Sequence, residues 1–282
     1  MAIKIIADSC CDTTEELRKE LDIDLVPLTI MPAPGVEFLD DLNINIGSLL
    51  SEMAKTKEPT RTACPSVDEY ARRMEAYDES VVITLSDKLS GSHNSARLAR
   101  EMVLEKHPDK KIFVIDSKSA SAGELLIALF VNKLNKENVS FENVVTRVNE
   151  YIGQMNTLFV LQDLSNMVKN GRVSKVKGIM ASVMSLHPVL SDDGNGEVKN
   201  LKTVRGLQNA LDQMVSCIVD LTKNLPPCST VLTLTYCNCR GRAETLKLDM
   251  MAKCKAIKEI IMAPTAGIST VYASDGGVVI AF

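Results

Sequence analysis

The chain has 282 residues, room for two compact domains or one large one, and its 45% hydrophobic and 24% charged residues are those of an ordinary globular protein. A formal charge of -4 excludes the basic surface that nucleic-acid binding needs, and with this much apolar content it also excludes a disordered chain. No apolar stretch approaches the length of a membrane span, and the opening apolar run stops at Asp8 and Ser9, too short for a signal peptide. A cytoplasmic protein without stable membrane insertion is the expectation.

In chain order, Ile3 to Ala7 reads as a strand and Thr13 to Leu21 as a helix that Thr13 or Thr14 can cap. Leu25 to Ile30 supplies a further strand, and residues 32–47, with Pro32, Pro34 and Gly35, read as irregular. Val81 to Leu85 precedes a helix from Ser92 to Lys106, and Ile112 to Ile115 precedes a helical stretch from Ala120 to Asn135. This alternation predicts an α/β fold whose N-terminal sheet is mostly parallel, with helices on both faces.

The second half has a different grammar. Leu158 to Leu161 is a strand; Asp163 to Lys169 is a helix stopped at Asn170 and Gly171; Val176 to Leu186 is a helix ended by Pro188. Val189-Leu190 and Val198 to Lys202 flank a turn over residues 192–196 and predict a hairpin. Helix 206–223, strand 230–236, helix 240–254, strand 257–262 and a closing strand near Val278 to Ala281 complete a second α/β domain with a mixed or antiparallel sheet. The boundary falls near residue 156, giving domains 1–156 and 157–282.

The eight cysteines show no disulfide framework and no zinc-type ligand spacing, so reduced and mostly buried thiols without a metal are expected. Three predicted strands end in Ala7-Asp8-Ser9, Thr84-Leu85-Ser86 and Ile115-Asp116-Ser117, and ligands of open parallel sheets sit beyond such ends. Helix capping alone also accounts for each of these triplets. The segment Ser90-Gly91-Ser92 adds a close backbone approach and a helix N-terminus without lysine or arginine in the turn, which suits one carboxylate better than a pyrophosphate. A Ser-His nucleophile at Ser92-His93 is disfavoured, because adjacent helical side chains diverge.

Taken together, Ile5 to Ser9, Val26-Pro27-Leu28, Thr62-Ala63-Cys64-Pro65-Ser66, Leu89-Ser90-Gly91-Ser92, Asp116-Ser117 with Ser121-Ala122-Gly123, and Gly171-Arg172-Val173-Ser174 resemble the ordered motifs of the DegV family. The resemblance implies a fatty-acid-binding protein rather than an enzyme, with no cofactor and no catalytic residue. The acyl chain would lie between two domains, and a partner kinase subunit would phosphorylate the presented carboxylate. It places the carboxylate at Thr62 and at Ser90, Gly91 and Ser92, with Arg172 beside it. The helix bearing Met180 and Met184 would border the tunnel. Tyr272 stands where the family carries a histidine, and a phenol donates a hydrogen bond but carries no positive charge, which puts phosphotransfer in question. Cys64 is a milder departure. The rival readings are a magnesium-dependent phosphotransfer or hydrolase enzyme using Asp8 and Asp116 with Arg172, and a protein-interaction module for which lipid is incidental.

Overall fold

The computed structural model describes residues 3–173 and 185–282. The N-terminal half carries β1 (Lys4–Asp8), α1 (Glu15–Glu20), β2 (Ile23–Val26), the hairpin strands β3 (Thr29–Ala33) and β4 (Val36–Leu39), α2 (Ile46–Ala54), β5 (Arg61–Ala63), α3 (Val67–Glu75), β6 (Glu79–Thr84), α4 (Ser92–Lys106), β7 (Lys111–Asp116), α5 (Ala122–Lys136) and α6 (Phe141–Gln154). Then come β8 (Thr157–Val160), α7 (Ser165–Lys169), β9 (Leu186–Asp192), β10 (Val198–Arg205), α8 (Leu207–Thr222), β11 (Thr230–Tyr236), α9 (Arg240–Lys253), β12 (Ile257–Pro264), α10 (Gly267–Ala273) and β13 (Val278–Ala281).

β2, β1, β6 and β7 form a parallel sheet in that order. Both of its faces are covered, which is why its strands read as unbroken apolar runs. Ile5, Val81 and Ile83 point to α5 and α6, while Ile6 and Val82 point to α3 and α4. The second sheet, β10-β9-β8-β13-β11-β12, is mixed: β11 and β12 are parallel and the other pairs antiparallel. Leu158 and Val160 of β8 bury against α8 and α9, whereas Phe159 and Leu161 face the other way, toward the first half of the chain.

The α/β architecture therefore matches the sequence expectation, with four differences. The single strand expected over Leu25 to Ile30 breaks at Pro27-Leu28 into β2 and β3. The region expected to be irregular, 32–47, holds the end of β3 and all of β4, and the two strands join β5 in a separate antiparallel sheet. Pro32 is tolerated there because it lies beyond the β5 pairing, at the irregularity between Ile30 and Ala33. Leu186, assigned to a helix from sequence, opens β9, and Pro188 sits where β9 pairs with β10 but not β8. Residues 176–184 of that expected helix, with Met180 and Met184, lie outside the described residues. Finally α2, α3, α6 and α10 were not foreseen.

Candidate functional site

The carboxyl ends of β1, β6 and β7 face the Phe159–Leu161 side of the second sheet, and between them lies a cavity of about 350 Å³. Its walls are mainly apolar: Leu28, Leu85 and Leu89 on one side, Phe159, Leu161 and Val279 on the other. Both its size and its character are those of a small-molecule site.

Thr62 and Tyr272 meet in its wall. β3 holds β5 in register, Ile30 opposite Thr62, and α10 brings Tyr272 from the far end of the chain, so that Thr62 Oγ1 lies 3.0 Å from the Tyr272 hydroxyl. Ser90, Gly91, Cys64 and Arg172 line the same cavity. A Cβ on Gly91 would approach the Cys64 sulfur to 3.1 Å, so the small residue lets these two loops meet. Arg172 donates to the carbonyls of Leu89 (3.3 Å from Nε) and Asn170, which ties the 170–172 turn to the Leu89–Gly91 loop.

Ser92 is placed differently from its neighbours. Its side chain is fully buried behind the wall; Ser90 donates to its hydroxyl at 3.2 Å, and its backbone N–H donates to Ser90 Oγ. Of the pair, Ser90 borders the cavity. The strand-end serines are likewise turned into the fold. Ser9 donates to Asp40, Ser86 to the Gly196 carbonyl and Ser117 to the Ser119 carbonyl. The crevice is where the parallel sheet predicts it, but Cys10, Leu85 and Lys118 line it beside these serines.

Asp8 accepts the N–H groups of Cys10 and Leu85, and Asp116 those of Asp87 and Lys118. These carboxylates are spent on loop backbone, and no metal-holding cluster occurs among the described residues. His93 sits 3.3 Å from the Thr84 hydroxyl. All eight cysteines are free, with Cys10, Cys11, Cys237 and Cys254 buried. Burial, with nearby carboxylates, pushes the Cys10 and Cys11 thiols well up, which keeps them unreactive.

Asp8, named from the sequence, belongs to a group of buried acids whose other members sequence reasoning missed: Asp8, Asp12 and Glu124 are at 0% exposure and Asp40 at 2%. Asp12 accepts from the Ser121 hydroxyl (2.5 Å) and the Ala266 N–H (2.7 Å). Burial raises all four, Asp12 to about 7 and Asp40 to about 6, with Asp8 higher than usual and Glu124 well above the carboxylate range. Unfolded, these groups ionise near pH 4, so above that pH the folded chain binds more protons than the unfolded one. Stability is therefore greatest at mildly acidic pH and is lost as pH rises through about 6 to 7 and beyond. We expect the Tm to fall between about pH 5 and pH 8, and Asp12→Asn to flatten that slope. A Tm that holds level or climbs over the same range would contradict the upward shift of these acids.

Fold and cavity together define a two-lobed α/β protein with a mainly apolar chamber that hydroxyls also line. The chain belongs to the DegV family: the family model, described as an uncharacterised protein of the DegV family, matches residues 2–282. A DegV domain-containing protein of Streptococcus pneumoniae is 34% identical, the match covering 100% of this chain and 99% of the relative. Among solved structures, a DegV family protein from Ruminococcus gnavus, refined with vaccenic acid, is 33% identical with a TM-score of 0.93 over 100% of both chains. The fatty acid kinase (Fak) B3 protein of Streptococcus pneumoniae, loaded with linoleic acid, is 32% identical with a TM-score of 0.87, covering 100% of this chain and 99% of that one.

Proposed function

We propose that this chain binds a long-chain fatty acid in the chamber, its carboxylate held at the mouth by Thr62, Tyr272, Ser90 and the Gly91 backbone, with Arg172 alongside. The observation that carries the reading is the Thr62–Tyr272 hydroxyl pair on a cavity whose walls are mainly apolar. An apolar tail gains roughly 0.8 kcal/mol per buried methylene, so the tail supplies most of the affinity and the hydroxyls set its direction. Ser92 acts from behind the wall by fixing Ser90. With domains taken as 1–156 and 157–282, the ligand would lie between the two.

The likeness to the Fak B3 protein supports a carrier that presents the carboxylate to a kinase subunit. Tyr272 lets the carboxylate be held without supplying positive charge there. The reading needs no cofactor and places the protein in the cytoplasm; no helix among the described residues is long and apolar enough to cross a membrane.

Native mass spectrometry of freshly purified protein, followed by lipid extraction, tests this. We expect a mass increment that extraction recovers as free fatty acid, and delipidated protein that takes back the acid but binds its methyl ester at least tenfold more weakly. Protein that carries no lipid and refuses added fatty acid would overturn the reading.

A further inference from the structure

We infer that fatty-acid binding is coupled to proton uptake: a carboxylate held at Thr62, Tyr272, Ser90 and Gly91 arrives beside a group of buried acids, and the protein takes a proton from solvent as it lands. This rests on the fatty-acid reading above. The acids are Asp8 at the end of β1, Asp12 in the loop after it, Asp40 after β4 and Glu124 of α5, all at 0–2% exposure. Three of them lie one residue behind the chamber wall. The Cys10 N–H donates to Asp8 at 3.1 Å, the Ser121 hydroxyl to Asp12 and the Ile268 N–H to Asp40 at 2.8 Å, and Cys10, Ser121 and Ile268 all line the chamber. Ser90 adds a hydroxyl route: it donates to Ser92 at 3.2 Å, and Ser92 lies against Asp8.

Glu124 shows how the group is held. Both of its carboxylate oxygens are buried and meet no donor. An ionised carboxylate so placed is far costlier than a neutral acid, so Glu124 keeps its proton and gives it to Asp8, the acid beside it. The Tyr70 hydroxyl of α3, at 0% exposure and also without a partner, lies by Ser92 and faces the same two acids. The ionisable groups coupled to the four are each other, the Cys10 and Cys11 thiols, Tyr70, and Cys237 beyond β11; none of these is a cation. The chamber wall also holds Lys118 and Arg172, but Arg172 donates to the Leu89 and Asn170 carbonyls, and no donor of either reaches Glu124.

A further negative charge at Ser90 meets repulsion from these acids, because like charges in an interior of low dielectric interact strongly. The acid that titrates most readily relieves it by binding a proton. Burial already holds Asp12 at about 7 and Asp40 at about 6, so near neutral pH they are part ionised and able to respond. The bound state then holds more protons than the free state. Affinity therefore rises as pH falls, and weakens as pH climbs through about 6 to 7 and beyond. A methyl ester brings no charge and calls for no proton.

Calorimetry on the delipidated full chain, repeated in buffers of different ionisation enthalpy, counts the protons. Free hexadecanoate is ionised between about pH 6 and pH 8.5, so any uptake belongs to the complex. A rise of about one pKa unit in one buried acid corresponds to about half a proton at the peak of the profile. Hexadecanoate should then bind about five- to tenfold more weakly at pH 8.5 than at pH 6. Methyl hexadecanoate should take up none. The uptake should fall in Asp12→Asn and in Asp40→Asn, each checked for a native melt; the contrast between acid and ester on the wild type stands whether or not the variants fold. Binding heat independent of buffer at every pH overturns the inference, as does an ester that takes up as many protons as the acid. So does an uptake that survives both substitutions, which would belong to the ligand's own carboxyl. Failure of acid and ester alike to bind would instead sink the fatty-acid reading itself.

Discussion

Thr62→Val combined with Tyr272→Phe should lower fatty-acid affinity by at least a hundredfold. Both replacements keep the shape of the side chain: valine puts a methyl where Thr62 has its hydroxyl, and phenylalanine removes the phenol oxygen. Each hydrogen bond to an ionised carboxylate contributes about 1.5–3 kcal/mol, so two give about 3–6 kcal/mol, or two to four orders of magnitude. The lower end applies here, because the unliganded protein also loses the 3.0 Å contact between the two hydroxyls, which partly evens the comparison. The methyl ester, which cannot exploit an anion site, should bind the double variant and the wild type alike. Titration calorimetry with hexadecanoate reads both numbers. An unchanged affinity for the free acid would place the carboxylate elsewhere.

Asp40→Ala should destabilise the protein by about 3 kcal/mol or more. α10 is a short helix built from residues of modest helix propensity, and Ala266 before it offers no side-chain cap. Asp40, from the end of β4, does the capping: Oδ1 accepts the Gly267 N–H at 2.7 Å, and Oδ2 accepts the Ile268 N–H and the Ser9 hydroxyl at 2.8 Å each. Alanine strands three buried donors at once, each worth about 1–3 kcal/mol when left unmade. Asp40→Asn keeps one acceptor oxygen and should fall between. Because α10 carries Tyr272, ligand affinity should fall along with stability. Equilibrium urea unfolding measures the change, and a loss below about 1 kcal/mol would mean that α10 does not depend on this cap.

The contrast between what the residues announced and what they hid follows from where the stabilising contacts lie. β1, β6 and β7 are buried on two faces, so their burial is written in consecutive apolar letters such as Val81 to Ile83. α10 has no such signature: Gly267, Ser269 and Thr270 favour it little, and the group that starts it lies more than two hundred residues earlier. β5 is three residues long and exists through pairing with β3. Part of α3 was legible in principle, since Ser66 and Glu69 have the spacing of a capping box, and Ser66 does accept the Glu69 N–H. In the site, Thr62, Ser90, Gly91, Arg172 and Tyr272 were named from motifs and do converge on one cavity. Ser92 was named as a carboxylate contact, whereas it opens α4 with its side chain buried behind Ser90; a motif carries no information about which of two serines faces inward. Phe159 and Leu161 were foreseen as strand residues; that they face the cavity depends on which side of β8 the helices α8 and α9 cover, a tertiary fact.

The chamber has a consequence for how such a protein lets go. A void of about 350 Å³ left wholly unfilled would carry a penalty near 8 kcal/mol at ~24 cal/mol per Å³, comparable with the entire net stability of a typical domain. The guest is therefore a structural component as much as a passenger, and departure is tied to replacement: solvent, a successor molecule, or inward collapse of the walls must occupy the space as it empties. Handover by exchange, with the next occupant pushing in as the last slides out, is the route that never exposes the interior to that deficit.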